Sequence, residues 1–249
     1  MTTLLCPAKI NLYLAILEKD ENGYHKLDTI FARLRESVVE PDLIHIEPAN
    51  RLSFHCETLP AEGNTVLKTL HLLEAKTKRN FTYKITLEKH IPICAGLGGG
   101  ASDAASLLLF LNQTENLGLS QNELMELGAN VGKDVPFFIS GYEVARGTRY
   151  GDEITALPPL PKVIHIKIEE PFIPASTAEA FAKWDKNLHK KAPSIEPLLE
   201  ALHSQNAEAI LRNLHNDFEP LTHASTPSMQ VQLLAGSGGA HAVLHVVGN

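Results

Sequence analysis

The sequence predicts an α+β fold, and three observations carry that expectation. The N-terminal stretch alternates apolar and polar residues as a strand does. Later stretches space their apolar residues as helices do. Strands and helices then follow one another in mixed order rather than in strict β-α-β alternation. Ile10, Leu12, Leu14 and Ile16 fall on one face of the first strand, with Lys9, Asn11 and Tyr13 on the other. Asn22-Gly23 then marks a hairpin turn ahead of a second apolar stretch ending near Leu34. Ile44, Ile46 and Phe54 predict further strands. Asn64-Thr65 caps a helix in which Val66, Leu67, Leu70 and Leu73 recur at helical spacing.

Ile85, Leu87, Lys89 and Ile91 alternate with their neighbours as a half-buried strand leading to Pro92. A glycine-rich turn follows, and from Ser102 the chain reads as a helix rich in Ala and Leu. Ser120 with Glu123, and Ser176 with Glu179, have capping-box spacing and open two further helices. Val163 to Ile168 reads as a strand, helices follow around Ile195–Ala201 and Asn206–Leu214, and Ala240 to Val247 reads as a last strand. The break Pro158-Pro159-Leu160-Pro161 predicts a division into residues 1–157 and 158–249.

Composition narrows the function. The 249 residues include 22 Lys and Arg against 29 Asp and Glu, a formal charge of −7, with 44% apolar residues, so disorder, collagen and coiled coil are excluded as the chain's main character. The mild acidity argues against a dedicated nucleic-acid binder. Cys6, Cys56 and Cys94 are odd in number and far apart, which makes neither a disulfide framework nor a zinc site. The twelve histidines contain no H-E-x-x-H, and no metal-ligand set is expected. No signal sequence is visible at the start, and the apolar run Leu107 to Leu111 is too short to span a bilayer. The expectation is a cytoplasmic protein, a monomer or weak homodimer, with no nucleic-acid or membrane partner.

The most informative stretch is Cys94-Ala95-Gly96-Leu97-Gly98-Gly99-Gly100-Ala101-Ser102-Asp103. Four glycines in five positions let the backbone turn tightly and approach a ligand without Cβ interference. A helix follows directly, so backbone N–H groups and the positive helix end converge, which suits a phosphate. The plain alternative is a flexible turn. A P-loop is excluded, because no Lys lies between Gly96 and Asp103. Gly96, Gly98 and Ala101 meet the dinucleotide pattern. Pro92 breaks the entering strand, however, and Gln113–Gln121 reads as a loop where a second strand with a terminal acid would be needed.

Pro92-x-x-x-Gly-Leu-Gly-Gly-Gly-x-Ser-Asp103 resembles the phosphate-binding motif of the GHMP kinases, which phosphorylate galactose, homoserine, mevalonate and phosphomevalonate. Pro7-Ala8-Lys9-Ile10-Asn11-Leu12, Gly23-Tyr24-His25-Lys26-Leu27, Asp134-Val135-Pro136-Phe137-Phe138 and Asn216-Asp217-Phe218-Glu219 are similar to segments of the branch of that family whose acceptor carries cytidine diphosphate. Gly236-Ser237-Gly238-Gly239 resembles the family's third motif. These matches run from residue 7 to about residue 240 in the family's order.

The resemblance implies the two-lobed α+β GHMP kinase fold with its active site in the cleft between lobes. It implies transfer of the ATP γ-phosphate to the 2-hydroxyl of a cytidine-diphosphate-linked methylerythritol, a step of non-mevalonate isoprenoid synthesis, with Mg²⁺ held largely by the nucleotide. In that reading the nucleotide is bound by Pro92, Ile93, Cys94, Ala95, Gly96, Leu97, Gly98, Gly99, Gly100, Ala101 and Ser102. Asp134 is the catalytic base and Lys9 the catalytic cation; on the residues alone, the readier readings are a turn Asp beside a helix and a solvated strand Lys. The implied substrate contacts are Asn11, Tyr24 stacking on the cytosine, His25 reading its edge, and Phe181 as a second aromatic. Their plain alternatives are a Tyr packed on the core, an exposed His and a helix-core Phe.

Ser102 is placed to cap its helix or to approach Mg-ATP, and Asp103 is explained by the helix dipole. Asn216 and Asp217 fit a substrate-side or a structural role. Ser237 and Gly238 belong to the third motif. The competing functions are a GHMP kinase with a smaller acceptor such as mevalonate or homoserine, a nucleotide-binding relative without turnover, and a Rossmann dehydrogenase. Tyr24-His25 argues against a small acceptor, which carries no base to stack upon.

Overall fold

The structure is a computed structural model, and it describes residues 1–169, 176–186, 191–218, 222–224 and 230–246. Glu219 and Val247, named above, lie outside the described residues. The chain divides into two compact units that interleave in sequence. The first comprises Met1–Ala8, Arg35–Pro92 and Gly98–Gly141; the second comprises Lys9–Leu34, Ile93–Leu97 and Tyr142–Asn249.

The first unit holds a four-stranded sheet in the order β1-β4-β6-β5, built from β1 (Thr2–Cys6), β4 (Asp42–Pro48), β5 (Ser53–Cys56) and β6 (Tyr83–Glu88). Its helices are α1 (Thr65–Thr77), α2 (Gly99–Thr114), α3 (Gln121–Val131) and α4 (Val135–Ser140). Asn64 caps α1 through its side chain, which accepts from Val66 N at 2.9 Å. The helix then buries Val66, Leu70 and Leu73, each contributing about 1.5–3 kcal/mol by leaving water. Ser120 and Glu123 form the reciprocal capping box of α3.

The second unit holds two sheets. One is β10-β2-β3-β7-β8, from β2 (Lys9–Lys19), β3 (His25–Arg33), β7 (Val144–Thr148), β8 (Glu153–Leu157) and β10 (His215–Asn216). The other is β11-β12-β13-β9, from β9 (Ile164–Glu169), β11 (Thr222–Ala224), β12 (Gln230–Leu234) and β13 (His241–Val246). The helices α5 (Thr177–Trp184), α6 (Glu196–His203) and α7 (Ala207–Arg212) complete it. A boundary at 157/158 falls between β8 and β9, hence between these two sheets, which packing groups in one unit.

Two local expectations are corrected and a third is met in part. β2 is buried on both faces from Lys9 to Ile16, not on one, because Tyr13 and its neighbours are covered by segments nearly two hundred residues away. The helix after the glycine turn begins at Gly99 with Gly98 as its cap, so Ser102 lies inside the first turn and does not cap. Ser176 accepts from Glu179 N at 3.1 Å, the forward half of the expected capping box. Among the described residues, no helix is long and apolar enough to cross a membrane.

Candidate active site

Lys9 opens β2 and is buried. An ammonium out of water needs a fixed acceptor, and Asn11, two residues along the same strand face, supplies one: Lys9 Nζ donates to Asn11 Oδ1 at 2.7 Å. Asn11 Nδ2 donates to Thr29 Oγ1 at 2.6 Å, and that hydroxyl donates to Tyr13 O at 2.6 Å. This relay leaves the Asn11 amide one orientation and aims its oxygen at the cation. The Lys9 ammonium also lies 5.6 Å from the centre of the Phe31 ring.

The backbone of the same strand holds two glycine loops. Lys9 N donates to Leu97 O and Asn11 N to Ala235 O, both at 2.9 Å. The loops also bond each other, Gly239 N to Cys94 O and Ala240 N to Ala95 O, both at 3.2 Å. Their approach is so close that a Cβ on Gly96 would stand 2.7 Å from Gly238 N, and one on Gly236 would stand 2.6 Å from Gly96 O and 3.2 Å from Lys9 Nζ. Gly96 and Gly98 both take left-handed backbone, φ +80 and +76, as does Cys94 at φ 58.

Within the predicted nucleotide loop 92–102 the side chains divide. Ile93 and Cys94 are exposed, whereas Ala95 and Leu97 are buried, so those two offer a ligand only backbone. Ala101 N and Ser102 N bond Gly98 O, which begins α2, and the N–H groups ahead of them precede the helical ladder. Ser102 Oγ is buried and has no hydrogen-bond partner. An orphaned hydroxyl costs about 1–3 kcal/mol when no ligand supplies a partner. Free helix-start donors, glycines that admit close approach and this hydroxyl fit a phosphate-bearing nucleotide.

The β2–β3 turn carries Tyr24 and His25. Asp20 accepts from Asn22 N at 3.0 Å and Tyr24 N at 2.9 Å, and from the Tyr150 hydroxyl. The Tyr150 bond holds the Asp20 carboxyl below its ordinary range. This pinned turn leaves Tyr24 65% exposed, with a face free of core packing. His25 places Nδ1 2.9 Å from Leu17 O and Nε2 2.8 Å from Asp185 Oδ1, and its ring stacks on Phe181 at 5.6 Å and 16°. Phe181 meets Phe218 edge-on at 5.1 Å, and α5 buries none of its residues, so Phe181 is not a helix-core residue. The structure thus brings His25 and Phe181 together. Sequence reasoning missed Asp185, which also accepts from Lys19 at 2.7 Å; those bonds pull its carboxyl down.

Asp134 belongs to the first unit, at the head of α4, and its side chain does not cap that helix. α3 and α4 pack so tightly that a Cβ on Gly128 would stand 2.7 Å from Val135 and 2.8 Å from Ile139. Val135 N bonds Gly132 O at 3.2 Å, and Val135 to Ser140 are buried, which fixes the backbone beside Asp134.

Asn216 and Asp217 are pins. Asn216 is buried; its Nδ2 donates to Leu234 O at 2.9 Å and Gly236 O at 3.0 Å, and its Oδ1 accepts from Phe218 N at 3.0 Å. Asp217 accepts from Ile16 N at 2.7 Å and binds His215 at 2.6 Å. Both side chains make structural tethers: Asn216 holds the loop of Gly236, and Asp217 holds β2 ahead of the Tyr24 turn. Ser237 Oγ lies 2.8 Å from Thr177 Oγ1.

Residues 64–142, from the cap of α1 past Asp134, match the family of the GHMP kinases N terminal domain. A crystal structure of 4-(cytidine 5'-diphospho)-2C-methyl-D-erythritol kinase is similar with a TM-score of 0.69 and 28% identity, covering 98% of this chain and 90% of that one. Streptococcus pneumoniae phosphomevalonate kinase, solved with phosphomevalonate and AMPPNP, shares the fold with a TM-score of 0.70 at 13% identity over 100% of this chain and 93% of that one. Fold and matched segment together define a GHMP kinase.

Two relatives carry the comparison further. The 4-diphosphocytidyl-2-C-methyl-D-erythritol kinase of Carboxydothermus hydrogenoformans is 37% identical over 220 residues, 87% of this chain and 74% of that protein. That of Caldanaerobacter subterraneus is 34% identical over 218 residues, 86% of this chain and 74% of that protein. The chain belongs to the 4-diphosphocytidyl-2-C-methyl-D-erythritol kinase family.

Proposed function

We propose that this chain transfers the γ-phosphoryl group of ATP to the 2-hydroxyl of 4-(cytidine 5'-diphospho)-2-C-methyl-D-erythritol. The observation that carries the reading is the buried Lys9–Asn11–Thr29 relay with the two glycine loops bonded to its strand. It is a fixed cation beside a phosphate-accepting backbone. Phosphoryl transfer asks a protein chiefly for positioning and charge stabilisation. Lys9, held by Asn11, stabilises charge developing on the transferred group at no reorganisation cost. Asp134, on a backbone locked by α3 and α4, takes the proton of the attacking hydroxyl.

The N–H groups at the start of α2 and the Ser102 hydroxyl hold the nucleotide phosphates. Mg²⁺, when bound, neutralises charge on those phosphates and is held mainly by phosphate oxygens and water. Tyr24 offers an exposed ring to stack on the cytosine, while His25 and Phe181 supply a hydrogen-bonding edge and a second aromatic. Two highly charged, water-soluble substrates suit an aqueous compartment, and the cytoplasm is the one proposed.

The test is ADP release from Mg-ATP with the cytidine-diphosphate alcohol, mevalonate or homoserine as acceptor. Turnover of the first alone, lost by about 10²–10⁴-fold in Asp134→Asn, is expected. Turnover of mevalonate or homoserine instead, or full activity of the Asn variant, refutes the acceptor or the base.

A further inference from the structure

Outside the relay, a second cluster of deeply buried charges lies in the first unit. Lys89 follows β6, Asp42 opens β4 and Asp103 lies just past the first turn of α2, and their side chains are 4%, 0% and 1% exposed. Lys89 Nζ donates to Asp103 Oδ2 at 2.8 Å and to Asp42 Oδ2. The other oxygen of Asp42 accepts from His90 N at 2.7 Å and Ile91 N at 2.8 Å. The other oxygen of Asp103 has no partner.

We infer that Lys89 is a positioning residue for the nucleotide loop, tying its entering strand, through Asp42, to the helix that leaves it, through Asp103. Residues 90 and 91 run into Pro92 and the loop, and residues 99 to 103 run out of it. One ammonium therefore holds both ends of the loop in register. The clamp lies directly under the helix start: a Cβ on Gly99 would stand 2.9 Å from Asp42 Oδ2, 3.1 Å from Lys89 Nζ and 3.2 Å from Ile91 Cβ.

The helix dipole alone does not explain Asp103, because a carboxylate placed for the dipole has no need of a buried partner. Two carboxylates against one ammonium also make a costly arrangement that a simple apolar core would avoid. Burial draws the Lys89 ammonium down, and Asp103 and Asp42 outweigh that and push it up, so it stays charged. Burial pushes the Asp103 carboxyl up to about 7, opposed by Lys89 and reinforced by Asp42. From β1, Cys6 faces the same cluster with its thiol pushed up by burial and by Asp103, so it adds no charge.

The inference rests on the reading that the loop binds nucleotide phosphates, and calorimetric titration with a non-hydrolysable ATP analogue separates the two. No binding by the wild-type chain sinks that reading and the inference with it. With wild-type binding in hand, Lys89→Met and Gly99→Ala are expected to raise the analogue's Kd about tenfold or more, since displacements of about 1 Å at a positioned site have effects of that size. Asp103→Asn, which keeps the shape and one carboxylate partner, stays within about threefold. A merely structural role lowers the fraction of competent protein, and hence the binding stoichiometry, without changing Kd.

The double variant Lys89→Met/Asp103→Asn leaves one buried carboxyl without a cation, Asp42, where Lys89→Met leaves two, and it still leaves the loop ends untied. It too is expected to bind weakly. Wild-type Kd in folded Gly99→Ala and in the double variant overturns the inference.

Discussion

Gly238→Ala tests whether the two glycine loops are braced against each other as tightly as the structure requires. Gly238 needs no left-handed backbone, so the substitution carries no φ penalty and its effect is purely one of space. A Cβ there would stand 2.6 Å from Cys94 O and closer still to Gly96 N and Ala95 C, where ordinary contact needs about 3.4 Å. All the obstructing atoms are backbone, so no side chain can swing aside. The loops must separate by about 1 Å, which overpacking data put at about 1–3 kcal/mol. Separation also breaks Gly239 N to Cys94 O and Ala240 N to Ala95 O, at about 1 kcal/mol each. The expected loss is roughly 3–5 kcal/mol, or roughly 6–20 °C in Tm for a chain of this length. Urea unfolding followed by circular dichroism measures it. Gly132→Ala is the control, because Gly132 is extended and its new methyl would meet Val135 at an ordinary 3.6 Å. Equal midpoints for the two variants would refute the bracing.

Two further substitutions follow from the same geometry. Asp103 keeps its proton in the folded chain to about pH 7, whereas an unfolded Asp releases it near 4, so its contribution to stability is full below about 4 and is lost as pH rises through about 7. Asp103→Asn is expected to flatten the decline in urea midpoint between pH 5 and pH 8, and an unchanged slope contradicts the assignment. Asn216→Asp is isosteric but turns a carboxylate toward Leu234 O and Gly236 O, so it is expected to cost roughly 3 kcal/mol and more than Asn216→Ala. The reverse order in urea midpoints would show that Asn216 does not tether that loop.

What the sequence makes legible is local. The caps at Asn64 and Ser120 and the turn at Asn22-Gly23 depend on residues a few positions apart, and each forms as its spacing predicts. The second buried face of β2 is not local. Tyr13 is closed over by a bond from its hydroxyl to Pro193 O at 2.6 Å, and Asn11 N by Ala235, and no alternation within residues 9–16 reports either. β7 escapes the periodic reading because Val144-Ala-Arg-Gly-Thr148 alternates poorly; it is a strand because β3 and β8 flank it. α2 begins three residues before Ser102, through glycines of poor helix propensity, because tertiary anchoring of the first turn overrides propensity.

The site divides along the same line. Glycine spacing predicts a phosphate loop, and the ordered motifs announce the family, since both are properties of residues in a row. The groups that hold the loop rigid were invisible for the opposite reason. Lys89 shares the strand face of Ile85, Leu87 and Ile91 but nothing near it in the sequence names a partner, Asp103 reads as a helix-start acid and Asp42 as nothing in particular. Only packing makes them one cluster, 47 and 14 residues apart in their bonded pairs. A loop of glycines has no intrinsic shape, because glycine gives up more conformational freedom on ordering than any other residue. Its ability to meet a phosphate therefore depends on restraint supplied from elsewhere. In this chain β2 and the Gly236 loop restrain residues 94–97, and the Lys89 cluster restrains the strand before the loop and the helix after it. The motif specifies what the loop can contact, and the buried tethers specify where it stands.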